Sequence, residues 1–313
     1  MCTRVFWSDN HVAKVAARTM DWEISDDARL WTLPRGMARD GGAGPTSLEW
    51  VSRHGSVAVS IWGVGTTEAL NDQGLAVHLL YLRETAYAAD DGRPAVSNLR
   101  WVQWVADNFA TVDEAVAAMD DVRIADTEVH GQHFGVHLGI EDASGDSAII
   151  EVIDGTLVVH HGRDTAVMAN DPPYDQQLAL LSRYRGFGGE LPPPGDILSR
   201  DRFVRTSYFL QYLPEPSNYQ EAVAGVVSLG RNAAVPAGAP YDDFSVYPTW
   251  WISATDVTNR TYYFQPTTSP NLIWLELDSL DLAEGAAVRC IDPYRLDLVG
   301  DVTDQLTVAP PIY

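Results

Sequence analysis

The chain has 313 residues, of which 46% are hydrophobic and 20% are charged, a balance typical of globular proteins. Its formal net charge at pH 7 is −22, with 43 acidic residues against 21 basic ones. So acidic a chain repels nucleic-acid phosphates and anionic membranes, which argues against both as partners. No run of eighteen apolar residues occurs, so we expect no membrane-spanning helix.

The beginning of the chain predicts a β-hairpin. Residues 3–8 are rich in β-branched and aromatic side chains, Asp9-Asn10 is a turn signal, and residues 11–17 form the predicted returning strand. The return leads into Arg18 and Asp21. A hairpin of this length therefore brings both side chains back beside the start of the chain.

Cys2 is one of only two cysteines, the other being Cys290. If Met1 is removed, Cys2 carries a thiol and a free α-amine on one residue. Such an amine has a pKa of roughly 7.7–8.0, which suits a general base for its own thiol. A nearby cation such as Arg18 raises the thiolate fraction, and a carboxylate such as Asp21 can orient an ammonium. The alternative is an incidental cysteine after the start codon.

The remaining elements alternate between runs of strands and runs of helices. This order predicts an α+β fold built as a layered αββα sandwich. The predicted strands are 51–53, 56–64, 76–82, 133–141, 147–152, 156–161 and those from 249 onward, and the predicted helices lie within 98–119, 174–185, 202–213 and 219–229.

Several short motifs follow Cys2 in a fixed order, and together they resemble one family. In chain order they are Arg18-Thr19-Met20-Asp21-Trp22, Asn71-Asp72-Gln73-Gly74-Leu75, Ala169-Asn170-Asp171-Pro172, Asp201-Arg202-Phe203-Val204-Arg205, and 250–264 with Asp256 and Tyr262-Tyr263-Phe264. The sequence resembles the choloylglycine hydrolases, N-terminal nucleophile hydrolases that include penicillin V acylases, bile salt hydrolases and acyl-homoserine lactone acylases. The resemblance implies a four-layer αββα sandwich with residues 1–313 as a single catalytic domain.

The resemblance also implies a role for each site residue. Cys2 would be the nucleophile, and Arg18 and Asp21 would position and tune its thiol and amine. Asn170 would supply an oxyanion-hole donor, and Arg202 would sit beside the nucleophile. The chain departs from the family pattern at Ala169, where the family has Thr, and at Asp201, where it has Ser.

Aromatic residues mark the expected acyl pocket. Trp22 directly follows Asp21 and is a candidate wall for a phenyl or alkyl acyl chain. Tyr81 occupies a position where penicillin acylases tend to carry Tyr and bile salt hydrolases Asn, so both residues are predicted to bind substrate. The other aromatic residues expected near the nucleophile, with packing as the alternative role, are Trp7, Trp62, Tyr87 and Tyr174.

The implied activity is hydrolysis of a linear amide through a thioester, most like that of a penicillin V acylase, with no metal or organic cofactor. An acyl-homoserine lactone or a bile salt could be the substrate of the same mechanism. The expected partner is a small-molecule amide, and a homo-oligomer is left open. No leader precedes Cys2, which predicts a cytoplasmic protein, or a periplasmic or secreted one if a leader was trimmed.

Two other functions were weighed against this one. His130, His133 and His137 are closely spaced and could be taken for the site of a metal hydrolase, but no acidic or cysteine ligand stands at a familiar spacing. In the predicted strand His133 and His137 would share a face, and His130 would lie at the turn. We therefore predict sheet and turn histidines and no metal site. The third possibility is a relative that binds acyl compounds without turnover.

Overall fold

The computed structural model describes residues 1–129 and 131–313. Most of its strands belong to two large sheets. The strands are β1 Cys2–Trp7, β2 Val15–Asp21, β3 Arg29–Leu33, β4 Ala38–Asp40, β5 Glu49–Val51, β6 Ser56–Ile61, β7 Gly65–Asn71, β8 Ala76–Tyr81, β9 Ala95–Ser97, β10 Arg123–Ala125, β11 Val136–Glu141, β12 Ser147–Ile153, β13 Thr156–His161, β14 Val167–Ala169, β15 Thr249–Asp256, β16 Thr261–Pro266, β17 Ile273–Glu276, β18 Arg289–Ile291, β19 Gly300–Asp301 and β20 Thr307–Val308.

The first sheet has the strand order β14-β1-β2-β15-β16-β17-β19, and the second has the order β13-β12-β11-β8-β7-β6-β3-β18-β20. Both are antiparallel except for the parallel pair β17 and β19. Two smaller sheets pair β4 with β5 and β9 with β10. The two large sheets face each other, and side chains from both form one continuous core.

Helices cover the outer faces of both large sheets. Helices α1 and α2 pack on the second sheet, whereas α4 and α5 pack on the first and α3 packs against α4. The four layers confirm the predicted α+β sandwich. The helices are α1 Trp101–Asn108, α2 Val112–Ala118, α3 Tyr174–Leu181, α4 Ser199–Leu210 and α5 Tyr219–Ala233. None of the helices in the described residues is long and apolar enough to cross a membrane.

Every residue of β1 and β2 is buried, because the first sheet has the second sheet on one face and α4 and α5 on the other. Strands covered on both faces lose the alternation of polar and apolar residues that an exposed face imposes. The hairpin therefore carries its functional side chains into the interior of the sandwich.

The turn of the hairpin was predicted correctly, but the returning strand starts later than predicted. Strand β2 begins at Val15 rather than at residue 11 and continues through Asp21. The cause is Asn10, whose side chain accepts hydrogen bonds from Val12 N and Ala13 N and donates to Trp7 O and Ala13 O. An asparagine that binds neighbouring backbone in this way holds the chain in a turn and delays the strand.

Other boundaries also differ from the sequence-based expectation. The predicted strand 133–141 begins only at Val136. The segment 98–119, where one or two helices are expected, holds two, and Thr111 caps the second through its side chain, which accepts from Glu114 N. Helix α4 starts at Ser199 rather than at Arg202. Arg202 is therefore in the first turn of a helix that points into the site.

Candidate active site

Antiparallel pairing of β1 and β2 places the nucleophile candidate beside its predicted partners. Cys2 lies opposite Met20, and the Sγ atom of Cys2 is 3.8 Å from Met20 Sδ. The Nη2 atom of Arg18 is 3.6 Å from the same Sγ. Only 3% of Cys2 is exposed, so the thiol is at the base of a pocket rather than on the surface.

Arg18 is a buried cation whose position is set by two contacts. Its Nη2 donates to Leu79 O at 2.9 Å, which fixes the guanidinium against the second sheet. Its Cζ lies 4.6 Å from the ring centre of Trp251, a cation–π contact. Burial alone would lower the pKa of Arg18, but the neighbouring Cys2 and Glu68 outweigh it and raise that pKa above its ordinary value. Arg18 therefore keeps its positive charge beside the thiol.

Asp21 and Arg202 form a buried ion pair on the side of Cys2 away from Arg18. Asp21 Oδ2 is 3.3 Å from Arg202 Nη1, and both side chains are fully buried. Asp21 Oδ1 accepts a hydrogen bond of 2.6 Å from Thr249 Oγ1. Arg202 also donates to the backbone oxygen of Cys2 at 2.7 Å and to Thr3 Oγ1. The pair thus holds the backbone around the nucleophile.

Asn170 follows β14, whose Ala169 lies opposite Thr3 of β1. The Oδ1 atom of Asn170 accepts from Cys2 N and, at 2.9 Å, from Arg202 Nη2. The Nδ2 group of Asn170 donates one hydrogen to Tyr81 O at 2.7 Å. An amide NH₂ has two hydrogens, so one is left for a ligand.

Gln177 of α3 was not predicted from the sequence, yet it holds the backbone of Asn170. Its Nε2 donates to Asn170 O at 2.6 Å, and its Oε1 accepts from Ala169 N at 3.2 Å. Gln177 is fully buried. These two hydrogen bonds flank the peptide between Ala169 and Asn170. They fix the backbone from which the Asn170 amide reaches Cys2.

Met1 is at the entrance to this cluster. Its amine donates to Asp21 O, and the residue lines a cavity of about 530 Å³ together with Arg83, Tyr241 and Tyr247. Burial lowers the pKa of the Met1 amine below its ordinary value. An amine at this end of β1 is therefore favoured in its neutral, basic form.

The thiol of Cys2 opens into an apolar pocket between the two sheets. Of the aromatic residues expected there, Trp22, Trp62 and Tyr81 do line it. The ring of Trp22 lies 5.7 Å from that of Tyr81 and 5.8 Å from that of Phe134, which the sequence did not single out. Aliphatic residues complete the wall, namely Ile61, Leu79, Leu80, Leu99 and Val136.

The other three aromatic candidates lie elsewhere. Trp7 and Tyr174 line a different cavity, on the far side of β1 and under α3 and α4. Tyr87 donates from its hydroxyl to Phe134 O at 2.8 Å and so supports the pocket wall without lining it.

The histidines considered for a metal site are separated in the structure. His133 is exposed and pairs with Asp126 at 2.8 Å, whereas His137 is fully buried and lies 3.2 Å from Glu151. The two side chains do not share a strand face, because the strand begins after His133. His130 lies outside the described residues.

The second cysteine, Cys290, is partly buried, on β18 near the edge of the second sheet. Burial raises the pKa of the Cys290 thiol to about 11. Both cysteines are free, so Cys2 keeps the thiol that a nucleophile requires.

Comparison with known proteins identifies the family. The family described as linear amide C–N hydrolases, choloylglycine hydrolase family, matches residues 2–306. This chain belongs to the choloylglycine hydrolase family. It is therefore a hydrolase of linear amide C–N bonds, and the resemblance drawn from its short motifs is confirmed.

Individual relatives place it among known members of the choloylglycine hydrolase family. The chain is 36% identical to penicillin V acylase of Pectobacterium atrosepticum, over an alignment that covers 90% of this chain and 82% of that protein. It is 26% identical to the bile salt hydrolase/transferase of Bifidobacterium longum subsp. longum, covering 86% and 93%. The solved structure of penicillin V acylase from Agrobacterium tumefaciens superimposes with a TM-score of 0.90 at 38% identity, covering 99% of this chain and 98% of that one. The predicted N-terminal nucleophile fold is thereby confirmed.

Proposed function

We propose that this enzyme is a cysteine amidohydrolase of the penicillin V acylase kind, which removes an aromatic or aliphatic acyl group from an amine. The observation that carries the proposal is the position of Cys2. Its thiol is at the base of an apolar pocket, with Arg18 at 3.6 Å and the Asp21–Arg202 pair on the other side. A thiol, a cation and an oriented carboxylate next to an apolar binding pocket are the parts required for acyl transfer.

In this proposal Met1 is first removed, and the amine of Cys2 takes the position beside Asn170 Oδ1 that the peptide nitrogen now holds. The amine accepts the thiol proton while Cys2 Sγ attacks the amide carbon. The remaining N–H of Asn170 donates to the developing oxyanion; the loss of one such donor typically costs about 10²–10³ in turnover. The ammonium then passes its proton to the leaving amine as the C–N bond breaks.

The product of this first half is a thioester between the acyl group and Cys2 Sγ. Water, deprotonated by the same α-amine, attacks the thioester carbon and releases the carboxylic acid. The thiol and the neutral amine are restored, so no redox partner, metal or organic cofactor is needed. Asp21 and Arg202 serve as positioning residues throughout, because Arg202 donates to the backbone oxygen of Cys2 and Asp21 pairs with Arg202.

The pocket walls support a flat aromatic or a linear alkyl acyl group. Trp22 and Tyr81 stand 5.7 Å apart by ring centres and narrow the entrance, and Phe134 closes one side. Such an entrance favours a phenyl ring over a fused steroid. The aliphatic residues beyond it also suit an alkyl chain, which keeps an acyl-homoserine lactone as the second candidate substrate.

We further propose that residues 1–313 act as one catalytic domain in the cytoplasm. Beyond a small-molecule amide, the partner that we allow is a second copy of the chain. The net charge of −22 supports this choice of partners, because it disfavours nucleic acid and anionic membrane surfaces.

The test is primary-amine release from penicillin V, glycocholate and a long-chain acyl-homoserine lactone. Wild type is compared with Cys2→Ala and with Cys290→Ala as the matched control, each with and without a chelator. We expect turnover to disappear in Cys2→Ala and to persist in Cys290→Ala and in chelator. Turnover by Cys2→Ala would refute the nucleophile, and loss in chelator would favour a metal hydrolase. Binding without turnover by a protein whose mass shows Met1 removed would favour the acyl-binding alternative.

A further inference from the structure

A fully buried histidine lies between two buried glutamates in the second sheet. His78 of β8 has Glu68 of β7 on one side and Glu141 of β11 on the other. Its Nε2 is 2.6 Å from Glu141 Oε1, and its Nδ1 is 2.9 Å from Glu68 Oε1. All three side chains have no solvent exposure. None of the three belongs to the motifs that identify the site.

This arrangement requires an imidazolium. A neutral imidazole has one N–H, so one of its two carboxylate neighbours would face a lone pair. A protonated ring carries an N–H on both nitrogens: Nε2 hydrogen-bonds to Glu141, and Nδ1 forms an ion pair with Glu68 without the alignment of a hydrogen bond. Burial by itself would lower the pKa of His78, but Glu141 and Glu68 outweigh it and raise that pKa to about 9. His78 is therefore a permanent cation at neutral pH.

The charges continue from His78 in both directions. On one side Glu141 pairs with Arg4, a fully buried residue of β1. On the other side Glu68 Oε2 is 3.8 Å from Arg18 Nη1, and the Nη2 of Arg18 is 3.6 Å from Cys2 Sγ. Positive and negative groups thus alternate across the interface between the two sheets, from Arg4 to the nucleophile.

Three more polar groups lie around this row. Ser253 and Tyr262 donate hydroxyl hydrogens to Glu68, at 2.8 Å and 3.2 Å. Burial raises the pKa of Tyr262 well above its ordinary value, which keeps that hydroxyl neutral. Asp26 lies behind Trp251, which donates to it, and burial raises the pKa of Asp26.

Counting the described residues of this row gives three cations (Arg4, His78, Arg18) and two carboxylates (Glu68, Glu141). The Asp21–Arg202 pair on the other side of Cys2 is neutral as a unit. Within the row, the buried cations therefore outnumber the carboxylates by one. A thiolate at Cys2 completes the balance, whereas a neutral thiol leaves it incomplete.

We propose that the His78 imidazolium is a positioning residue that supplies the extra buried positive charge and so stabilises the Cys2 thiolate through Glu68 and Arg18. Without it, Glu68 offsets the charge of Arg18 and the row is already neutral with a protonated thiol. This inference rests on the proposed role of Cys2 as the nucleophile. It adds a residue that does not touch substrate.

The test is the pH dependence of Cys2 alkylation by iodoacetamide, followed on the N-terminal peptide by mass spectrometry so that Cys290 does not contribute. We expect His78→Gln to move the midpoint of the alkylation profile up by about one pH unit, the Coulomb effect of a unit charge roughly 10 Å away at an effective dielectric of about 20. The matched control is His137→Gln, which removes the buried histidine paired with Glu151. We expect it to leave the midpoint unchanged.

The double variant Glu68→Gln/His78→Gln separates charge balance from packing. It removes one negative and one positive charge together, so its midpoint should fall below that of His78→Gln and return to or below that of wild type. A merely structural role for His78 predicts a larger disturbance in the double variant than in the single one. Such a result, or an unshifted midpoint in His78→Gln, would overturn the inference.

The wild-type protein provides a test that does not depend on any variant folding. Nitrogen-15 chemical shifts of the His78 ring at pH 7 should be those of an imidazolium, and shifts of a neutral ring would refute the proposal. The outcomes also separate the two hypotheses. Turnover by Cys2→Ala would end the nucleophile assignment while the alkylation profiles stand, and unshifted profiles would end the role of His78 while the nucleophile stands.

Discussion

Replacement of Asp21 by asparagine is the sharpest test of the ion pair beside the nucleophile. The change keeps the shape of the side chain, and its amide oxygen can still accept from Thr249 Oγ1, now 2.6 Å from Asp21 Oδ1. What is lost is the negative charge 3.3 Å from Arg202 Nη1. Arg202 keeps its hydrogen bonds to Cys2 O and Asn170 Oδ1 and so stays in place as an uncompensated buried cation.

The structure sets the size of the effect. Two unit charges 3.3 Å apart attract by about 5 kcal/mol at an effective dielectric of about 20. Removing one partner of a buried pair typically costs about 3–5 kcal/mol, so we expect a loss of that order in the free energy of unfolding. The uncompensated charge of Arg202 also opposes protonation of the Cys2 amine. General-base catalysis typically contributes about 10²–10⁴-fold, and we expect kcat/KM to fall by at least about 10²-fold.

The assay is kcat/KM for amine release against pH, together with urea unfolding. Asp256→Asn is the matched control, because Asp256 is equally buried but lies opposite Val15, at the far end of β2 from Asp21. Its carboxylate accepts from Thr258 N and Asn259 N, and it has no contact with the site. The reasoning fails if Asp21→Asn keeps kcat/KM within about twofold of wild type, or if the control loses as much activity.

Two further predictions follow from the buried histidine and the pocket wall. His78 has a raised pKa of about 9 against an ordinary value of 6.5, so it stabilises the fold by roughly 3 kcal/mol below pH 6.5, and this contribution disappears as the pH rises to about 9. The difference in free energy of unfolding between wild type and His78→Gln, measured in urea, should be smaller at pH 9.5 than at pH 6. A difference that stays constant would contradict the prediction. Trp22→Ala should lower kcat/KM for aryl-acyl amides by about 10–100-fold, since an aromatic wall is lost. Steady-state kinetics with Trp7→Ala as the control checks this, because Trp7 lines a different cavity, and equal losses in both would refute it.

The hairpin and its cluster could be predicted because the information is local. Cys2, Arg18 and Asp21 fall on two strands joined by one turn, so strand pairing alone brings them together. The returning strand was placed four residues too early because side-chain hydrogen bonds of Asn10 lengthen the turn, and turn lengths of this kind do not follow from a strand pattern. The error did not affect the site, because Arg18 and Met20 lie within the part of β2 that pairs with Arg4 and Cys2.

Residues distant in sequence were predicted only through motifs. Asn170 and Arg202 were identified by resemblance, and Phe134 and Gln177 were missed because nothing local distinguishes them. A signal for the buried charges did exist. Glu68 is the one charged residue of β7 and His78 the one histidine of β8, and a charge in a buried strand needs a buried partner. Identifying the partner as well requires the strand order β7-β8-β11, which is a property of the whole sheet.

The energetic logic of the buried row also explains why it occupies the interface between the sheets. Buried ion pairs are often no more stabilising than apolar residues of the same volume, so Arg4, Glu141, His78 and Glu68 are poorly accounted for by stability alone. Near a reacting thiol the same low dielectric strengthens the interaction of every charge with the thiol. Groups that strands hold on both sides also need no reorganisation when charge develops. Rigid placement is available only where both sheets hold the side chains, as they do here with Arg4 on β1 and its carboxylate partner on β11. The row is therefore better understood as part of the nucleophile's environment than as a device for holding the sandwich together.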